Sequence, residues 1–209
     1  MSSRDDFVDT VNANQSSFGL SIEAEQVERL AGYYDLVQEH NPILHLVGPC
    51  PPEEFAIRHI LESLTLLPHL SPNTKFVDVG AGAGLPSVPC LIVRGDLHAT
   101  LIESKERKAK FLNLAISELG LAERAQIVNR QFEETSPGDA SSVTCRALDK
   151  FVEKLPRLIK WGKGLDLLLF GGHKLQAALE CQNVAFMQKL MPLSEQRYLY
   201  IAPAPRTST

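Results

Sequence analysis

The sequence holds no run of apolar residues near the ~20 that a helix needs to cross a bilayer, which excludes a membrane span as its organising element. Cysteine is scarce: Cys50, Cys90, Cys145 and Cys181 lie far apart, with no Cys-x-x-Cys pair and no paired histidines beside them. Such spacing supports neither a zinc site nor a disulfide framework, so no metal is expected and the four read as small, mostly buried thiols. A large excess of one charge is missing too. The net charge is −4, so contact with nucleic acid has to come from a local basic patch. Met1 to Gln15 carries acids and amides in place of a basic-then-apolar leader, and a cytoplasmic protein without membrane attachment is expected. No internal repeat or linker divides the chain. With 209 residues and 44% hydrophobic content it can bury a sizeable core. A chain of this length hides about 70% of its unfolded surface.

What is present is organised around residues 75–85, Lys-Phe-Val-Asp-Val-Gly-Ala-Gly-Ala-Gly-Leu. Val77 and Val79 suit a buried parallel strand, and the glycines after them allow left-handed backbone and close approach to a ligand. Leu85-Pro86-Ser87 then opens a helix. A dinucleotide site wants G-x-G-x-x-G to hold a pyrophosphate. Here Gly80, Gly82 and Gly84 give G-x-G-x-G behind Asp78, and Leu85 stands where the third dinucleotide glycine would be. Asp-x-Gly-x-Gly-x-Gly resembles the first motif of class I S-adenosylmethionine methyltransferases. The plain alternative is a glycine-rich turn with no ligand. His98 to Glu103 weighs against it: a second strand ends there in a carboxylate, about twenty residues past the glycines, where α/β sheets place an acid for ribose hydroxyls. Glu103 could instead cap the following helix, but Ser104 is expected to fill that role.

Taken in order, Met1 to Leu20 is polar and poorly periodic and is expected to be flexible. Val27, Leu30, Tyr34 and Val37 recur at helical spacing, which predicts a helix over 22–39 that stops before Asn41-Pro42. Pro51-Pro52-Glu53-Glu54 starts another, with Phe55, Ile60, Leu64 and Leu67 on one side and its end at Pro68. Both precede the first strand, so residues 21–70 form a cap. A helix over 105–120 buries Ala109, Leu112, Ala115 and Leu119. Strands follow at 125–128, 142–145 and 165–170, and alternation with helices predicts a parallel sheet. Residues 184–191 fit helix or strand, while 197–201 reads as a strand.

Arg58-His59-Ile60-Leu61-Glu62-Ser63-Leu64, the glycine segment, Leu101-Ile102-Glu103-Ser104 with Arg107-Lys108 and Phe111-Leu112, and Cys145-Arg146-Ala147 together resemble the ribosomal RNA small-subunit methyltransferase G family, also called glucose-inhibited division protein B. The resemblance runs from about Leu30 onward, and the Arg-His-Ile-Leu-acid-Ser helix is its most specific part. It implies one methyltransferase domain with a Rossmann-like α/β core over 71–209, a seven-stranded, mostly parallel sheet with helices on both faces, and the last two strands as a hairpin. It implies methylation of guanine N7 in the 530 loop of 16S ribosomal RNA, on the RNA or the small subunit, by a monomer using S-adenosylmethionine.

Cofactor contacts are expected at Asp78, Gly80, Gly82, Gly84, Leu85, Glu103, Phe132, Glu133 and Arg146. The segment Arg130 to Glu134 is one residue longer than the family pattern, which could move the adenine contact to Gln131. Arg146 is the candidate for holding the substrate, with an ion pair to Glu133 or Asp149 as the structural alternative. Arg58, Lys105, Arg107, Lys108 and Lys174 are candidates for RNA phosphates, although a basic run is more often a solvated face. His59 is expected to be a satisfied buried histidine, and Asn41 and His45 are placed at the pocket mouth. Departures from the family pattern are His40 for Trp, His45-Leu46-Val47 for Asn-Leu-Thr, Leu148 for Phe, and Phe170-Gly171-Gly172 for Lys-Gly. Two readings compete: a methyltransferase of this fold with another RNA site, a small molecule or a protein as substrate, and an inactive cofactor-binding module on the ribosome.

Overall fold

The computed structural model describes residues 2–146 and 148–204. Ala147, part of the Cys-Arg-Ala motif, lies outside them. β1 (Lys75–Val79) is the expected strand, and its two-residue alternation separates two cores. Phe76 packs into a cluster with the cap, while Val77 and Val79 join a second cluster with Val143, Leu155 and Tyr200. β2 (His98–Ile102), β3 (Ala125–Val128), β4 (Ser142–Arg146) and β5 (Asp166–Gly171) extend the sheet in parallel. β6 (Met187–Leu190) resolves the ambiguous 184–191 stretch, and β7 (Tyr198–Ala202) inserts antiparallel between β5 and β6. The order is β3-β2-β1-β4-β5-β7-β6, the seven-stranded, mostly parallel sheet the family resemblance implied.

The beginning of the chain departs from expectation. Residues 3–14 form α1 (Ser3–Asn14), closed by a reciprocal capping box between Ser2 and Asp5. Phe7 and Val11 are fully buried, and Phe7 stacks on Tyr34 with ring centroids 4.7 Å apart. Two apolar residues four apart suffice for a helix when a partner helix covers them. That partner is α2 (Ala24–Leu44), which also runs past its expected stop. Pro42 sits in its last turn, where it forfeits one hydrogen bond, and the helix still closes through His45 N–H to Asn41 O at 2.9 Å.

The second cap helix is continuous over residues 52–64 but changes pitch: α3 (Pro52–Glu54), a π-helical segment Phe55–Leu61, then α4 (Glu62–Leu64). The widened turn shows in Glu62 N–H bonding to Ile57 O, five residues back. The helix ends at Leu64, short of the expected Pro68 boundary. α5 (Ser87–Val93) and α6 (Glu106–Glu118) follow β1 and β2, and α7 (Phe151–Trp161) and α8 (His173–Cys181) flank β5 in sequence. In α6 Ala109, Leu112 and Ala115 are buried as expected, joined by Phe111 and Ile116, while Leu119 is half-buried.

Candidate active site

A cavity of about 560 Å³ opens at the carboxyl ends of β1, β2 and β4, with the cap as one wall. Its floor is the glycine turn. Gly80 and Ala81 donate to Ile102 O at 2.9 and 3.1 Å, and Gly84 donates to Ala81 O at 2.7 Å, which folds the chain back on itself. All three glycines have positive φ, at 75°, 57° and 96°. Their uses differ. A Cβ on Gly82 would meet nothing closer than 3.8 Å and would project into open space, whereas one on Gly84 would lie 2.5 Å from Val88 Cγ2. Gly84 thus serves helix packing and does not line the cavity, and Gly80 makes room for Leu148, whose Cδ1 would sit 2.7 Å from an added Cβ.

Glu103 lines the cavity and is 6% exposed. Its Oε2 accepts from Gly82 N–H at 3.0 Å and its Oε1 from Lys105 N–H at 2.7 Å. Lys105, not Ser104, is the N-cap of α6, and it has no side-chain cap, so the carboxylate does serve that helix start. The capping and ligand-binding readings of Glu103 are therefore compatible: two fixed amides hold the group, which lines the cavity with acceptor capacity to spare.

Asp78 is placed differently from the expectation. It shares the strand face of Phe76, away from the cavity, is fully buried, and accepts from Ser87 Oγ at 2.6 Å. Its Oδ1 has no hydrogen-bond partner among the described residues, and burial, opposed by the Ser87 bonds, raises its carboxyl to about 7. Leu85 and Phe132 line the cavity; Glu133 does not, and its carboxylate turns to Arg157 at 3.7 Å. Gln131, the alternative raised by the longer segment, takes a place in the wall.

Arg146 ends β4 and reaches under the cap. Nη2 donates to Arg58 O at 2.5 Å, Nη1 to Ser63 Oγ at 3.2 Å, and the guanidinium lies 3.3 Å from Glu62 Oε2 and 5.5 Å from the Phe170 ring centroid. Its ion pair is thus with Glu62, not with Glu133 or Asp149. Glu62 is 1% exposed and holds Arg197 Nε at 2.6 Å with its other oxygen. Sequence reasoning had no means of assigning this role, since the partners lie 84 and 135 residues away.

Of the basic candidates, Lys105 and Lys108 line the cavity, and Lys108 Nζ donates to His45 O at 3.0 Å. Arg58 pairs with Glu54, and Arg58, Arg107 and Lys174 stand outside the lining. Asn41 shapes the mouth by accepting from Val47 N–H at 3.0 Å, beside lining residues Leu46 and Val47. His59 also lines the wall, and its Nδ1 is buried without a partner among the described residues, contrary to the satisfied histidine expected.

The cavity fits an adenosyl amino acid. Its volume falls within the 300–1,000 Å³ typical of small-ligand sites. Open space lies above Gly82, the Glu103 carboxylate lines the wall, and Phe132, Ile102 and Val79 supply its apolar part.

Sheet order, glycine floor and carboxylate after β2 define a class I S-adenosylmethionine-dependent methyltransferase. Solved structures share the fold. The mitomycin 7-O-methyltransferase aligns at TM-score 0.58 and 18% identity over 82% of this chain and 60% of that one. A tRNA methyltransferase of B. subtilis aligns at TM-score 0.52 and 14% identity over 68% and 64%.

The chain belongs to the rRNA small subunit methyltransferase G family, whose model matches residues 26–197. Ribosomal RNA small subunit methyltransferase G of Neisseria meningitidis serogroup A is 35% identical over 155 residues, 73% of this chain and 74% of that protein. The same enzyme of Methylobacillus flagellatus is 34% identical over 193 residues, 89% and 93% of the two chains. The family expected from the Arg-His-Ile-Leu-acid-Ser helix and the glycine turn is borne out, as is its methyl donor, S-adenosylmethionine.

Proposed function

We propose that this protein methylates N7 of a guanine in the 530 loop of 16S ribosomal RNA, acting as a cytoplasmic monomer on the RNA or the small subunit. The observation that carries this reading is the presence of a fixed carboxylate, Glu103, and an anchored guanidinium, Arg146, in the lining of one cavity. No helix among the described residues is long and apolar enough to cross a membrane.

S-Adenosylmethionine supplies an electrophilic methyl group on a sulfonium. Guanine N7 has an in-plane lone pair and no proton, so no side chain has to act as a base. What remains for the protein is alignment, which alone can contribute on the order of 7–11 kcal/mol in ideal cases. Glu103 and the Gly80–Gly82 floor would hold the cofactor's sugar and backbone end, and Phe132 and Gln131 would border its adenine. Arg146, fixed by three acceptors of the cap, has further N–H groups for guanine O6 or a flanking phosphate. It should grip away from N7, because a cation beside a base becoming positive is unfavourable. Lys105 and Lys108 stand at the wall where RNA phosphates would pass.

Incubation with labelled methyl donor and unmodified small-subunit RNA or particles, followed by mapping of the product, tests this. One methyl at guanine N7 is expected. Transfer to another position or molecule would favour a different substrate within the same fold. Cofactor affinity and particle binding with no transfer would favour an inactive binding module.

A further inference from the structure

His59 lies in the π-helical segment, in the cavity wall contributed by the cap. Its ring packs 5.0 Å from that of Phe55, and Nδ1 has no partner among the described residues. Leaving a buried polar atom unpaired is costly, so the imidazole is not locked in place by a hydrogen bond to the residues around it. The surroundings also settle its charge. Burial, with Arg146, Arg58 and Arg197 nearby, pushes the imidazole down to about 3, so it stays uncharged at neutral pH. A neutral imidazole always keeps one acceptor nitrogen.

Its position indicates what it meets. Glu103 follows β2 and Arg146 ends β4, and these strands flank β1, so the strand ends that carry the two groups lie about 10 Å apart, two strand spacings. His59 belongs to the Arg146 end, away from the sugar-facing carboxylate, where the target base has to enter. A guanine brings the acceptor O6 next to N7 and two donors, N1–H and the 2-amino group, on the adjoining edge. The guanidinium can serve O6 but cannot accept, and a protonated histidine would repel the base as N7 becomes positive. Resting on the methyl-transfer reading above, we propose that His59 is a specificity-determining residue whose imidazole nitrogen accepts a hydrogen bond from the donor edge of the target guanine.

The test compares kcat/KM for wild type and His59→Ala on small-subunit RNA carrying guanine, inosine or 1-methylguanine at the modified position. Inosine lacks the 2-amino group and 1-methylguanine lacks N1–H, while both keep N7 and O6. His59→Ala is expected to lose about tenfold on guanine, the scale of one hydrogen bond. Wild type should lose a similar factor on at least one analogue, and that loss should vanish in His59→Ala. His59→Asn, which retains an acceptor, should recover part of the rate. Losses that multiply for both analogues, or a coupling found with Asp149→Asn in place of His59→Ala, would overturn the assignment. Binding of S-adenosylhomocysteine should be unchanged in His59→Ala, and its disappearance would mark a purely structural residue and sink the idea. A wild-type enzyme that binds S-adenosylhomocysteine yet methylates none of the three RNAs would overturn the methyl-transfer reading and this assignment with it.

Discussion

The hydroxyl of Tyr33, fully buried on α2, donates to the carbonyl of Ala83 in the glycine turn at 2.9 Å. The cap thereby sets the cofactor floor directly, fifty residues along the chain. Tyr33→Phe keeps the ring and orphans the carbonyl, which costs about 1–3 kcal/mol. A lower unfolding midpoint and weaker S-adenosylhomocysteine binding by calorimetry are expected together. A stability loss with affinity untouched would show that the turn holds its shape without the cap.

Gly82 and Gly84 should separate ligand space from packing space. Gly82→Ala adds a methyl group where nothing lies within 3.4 Å, at φ 57°, so its fold cost is limited to backbone strain of roughly 1–2 kcal/mol. Cofactor affinity should drop by at least tenfold. Gly84→Ala meets Val88 and Leu112 at φ 96°, and should lower stability more than Gly82→Ala does. Denaturant titration and calorimetry on both variants check the order.

Glu62 pairs with two arginines from inside the protein. Glu62→Gln preserves shape but strips Arg146 of its counter-charge, and breaking a buried pair in this way costs about 3–5 kcal/mol. Urea unfolding should show that loss, and methyl transfer should fall with it as Arg146 loosens. For Arg146→Lys, which keeps charge but not the planar fork, a turnover reduced at least tenfold is expected. Unchanged turnover would remove Arg146 from substrate positioning.

Asp78 gives a pH signature of defined sign. Its carboxyl is raised to about 7 from its ordinary 3.8, so the folded state holds a proton that the unfolded chain releases between those values. Its contribution to stability is present in full below the lower value and is lost as pH rises through 7. Asp78→Asn mimics the protonated form, so relative to wild type it should gain stability between pH 5 and pH 8. Chemical denaturation of both proteins at the two pH values measures this, and a difference that runs the other way would contradict the placement.

The strand, glycine turn and Glu103 were legible because each is a local pattern: β-branched residues, left-handed glycines, and an acid at the next strand end. Asp78 was legible as a motif member, but which face of β1 it occupies depends on the pairing of Phe76 with the cap core. α1 was missed because only Phe7 and Val11 mark it, and their burial comes from Tyr34 and Phe55 on other helices. Helical spacing at 3.6 residues could not disclose the π-helical segment, and so could not place His59 on the cavity side or Glu62 against Arg146. Three of the four departures from the family pattern border the site: Leu46 and Val47 line it, Leu148 sits on Gly80, and Phe170 lies beneath Arg146.

The contact of Leu148 with Gly80 ties the permissible size of one position to the absence of a side chain at the other. Relatives carrying a bulkier residue after the Arg146 strand can do so only while position 80 stays bare. Mutational drift at these two positions is therefore linked, and a library that varies 148 in aromatic and aliphatic steps with Gly80 held constant would trace how far that plug can swell before the floor beneath it buckles.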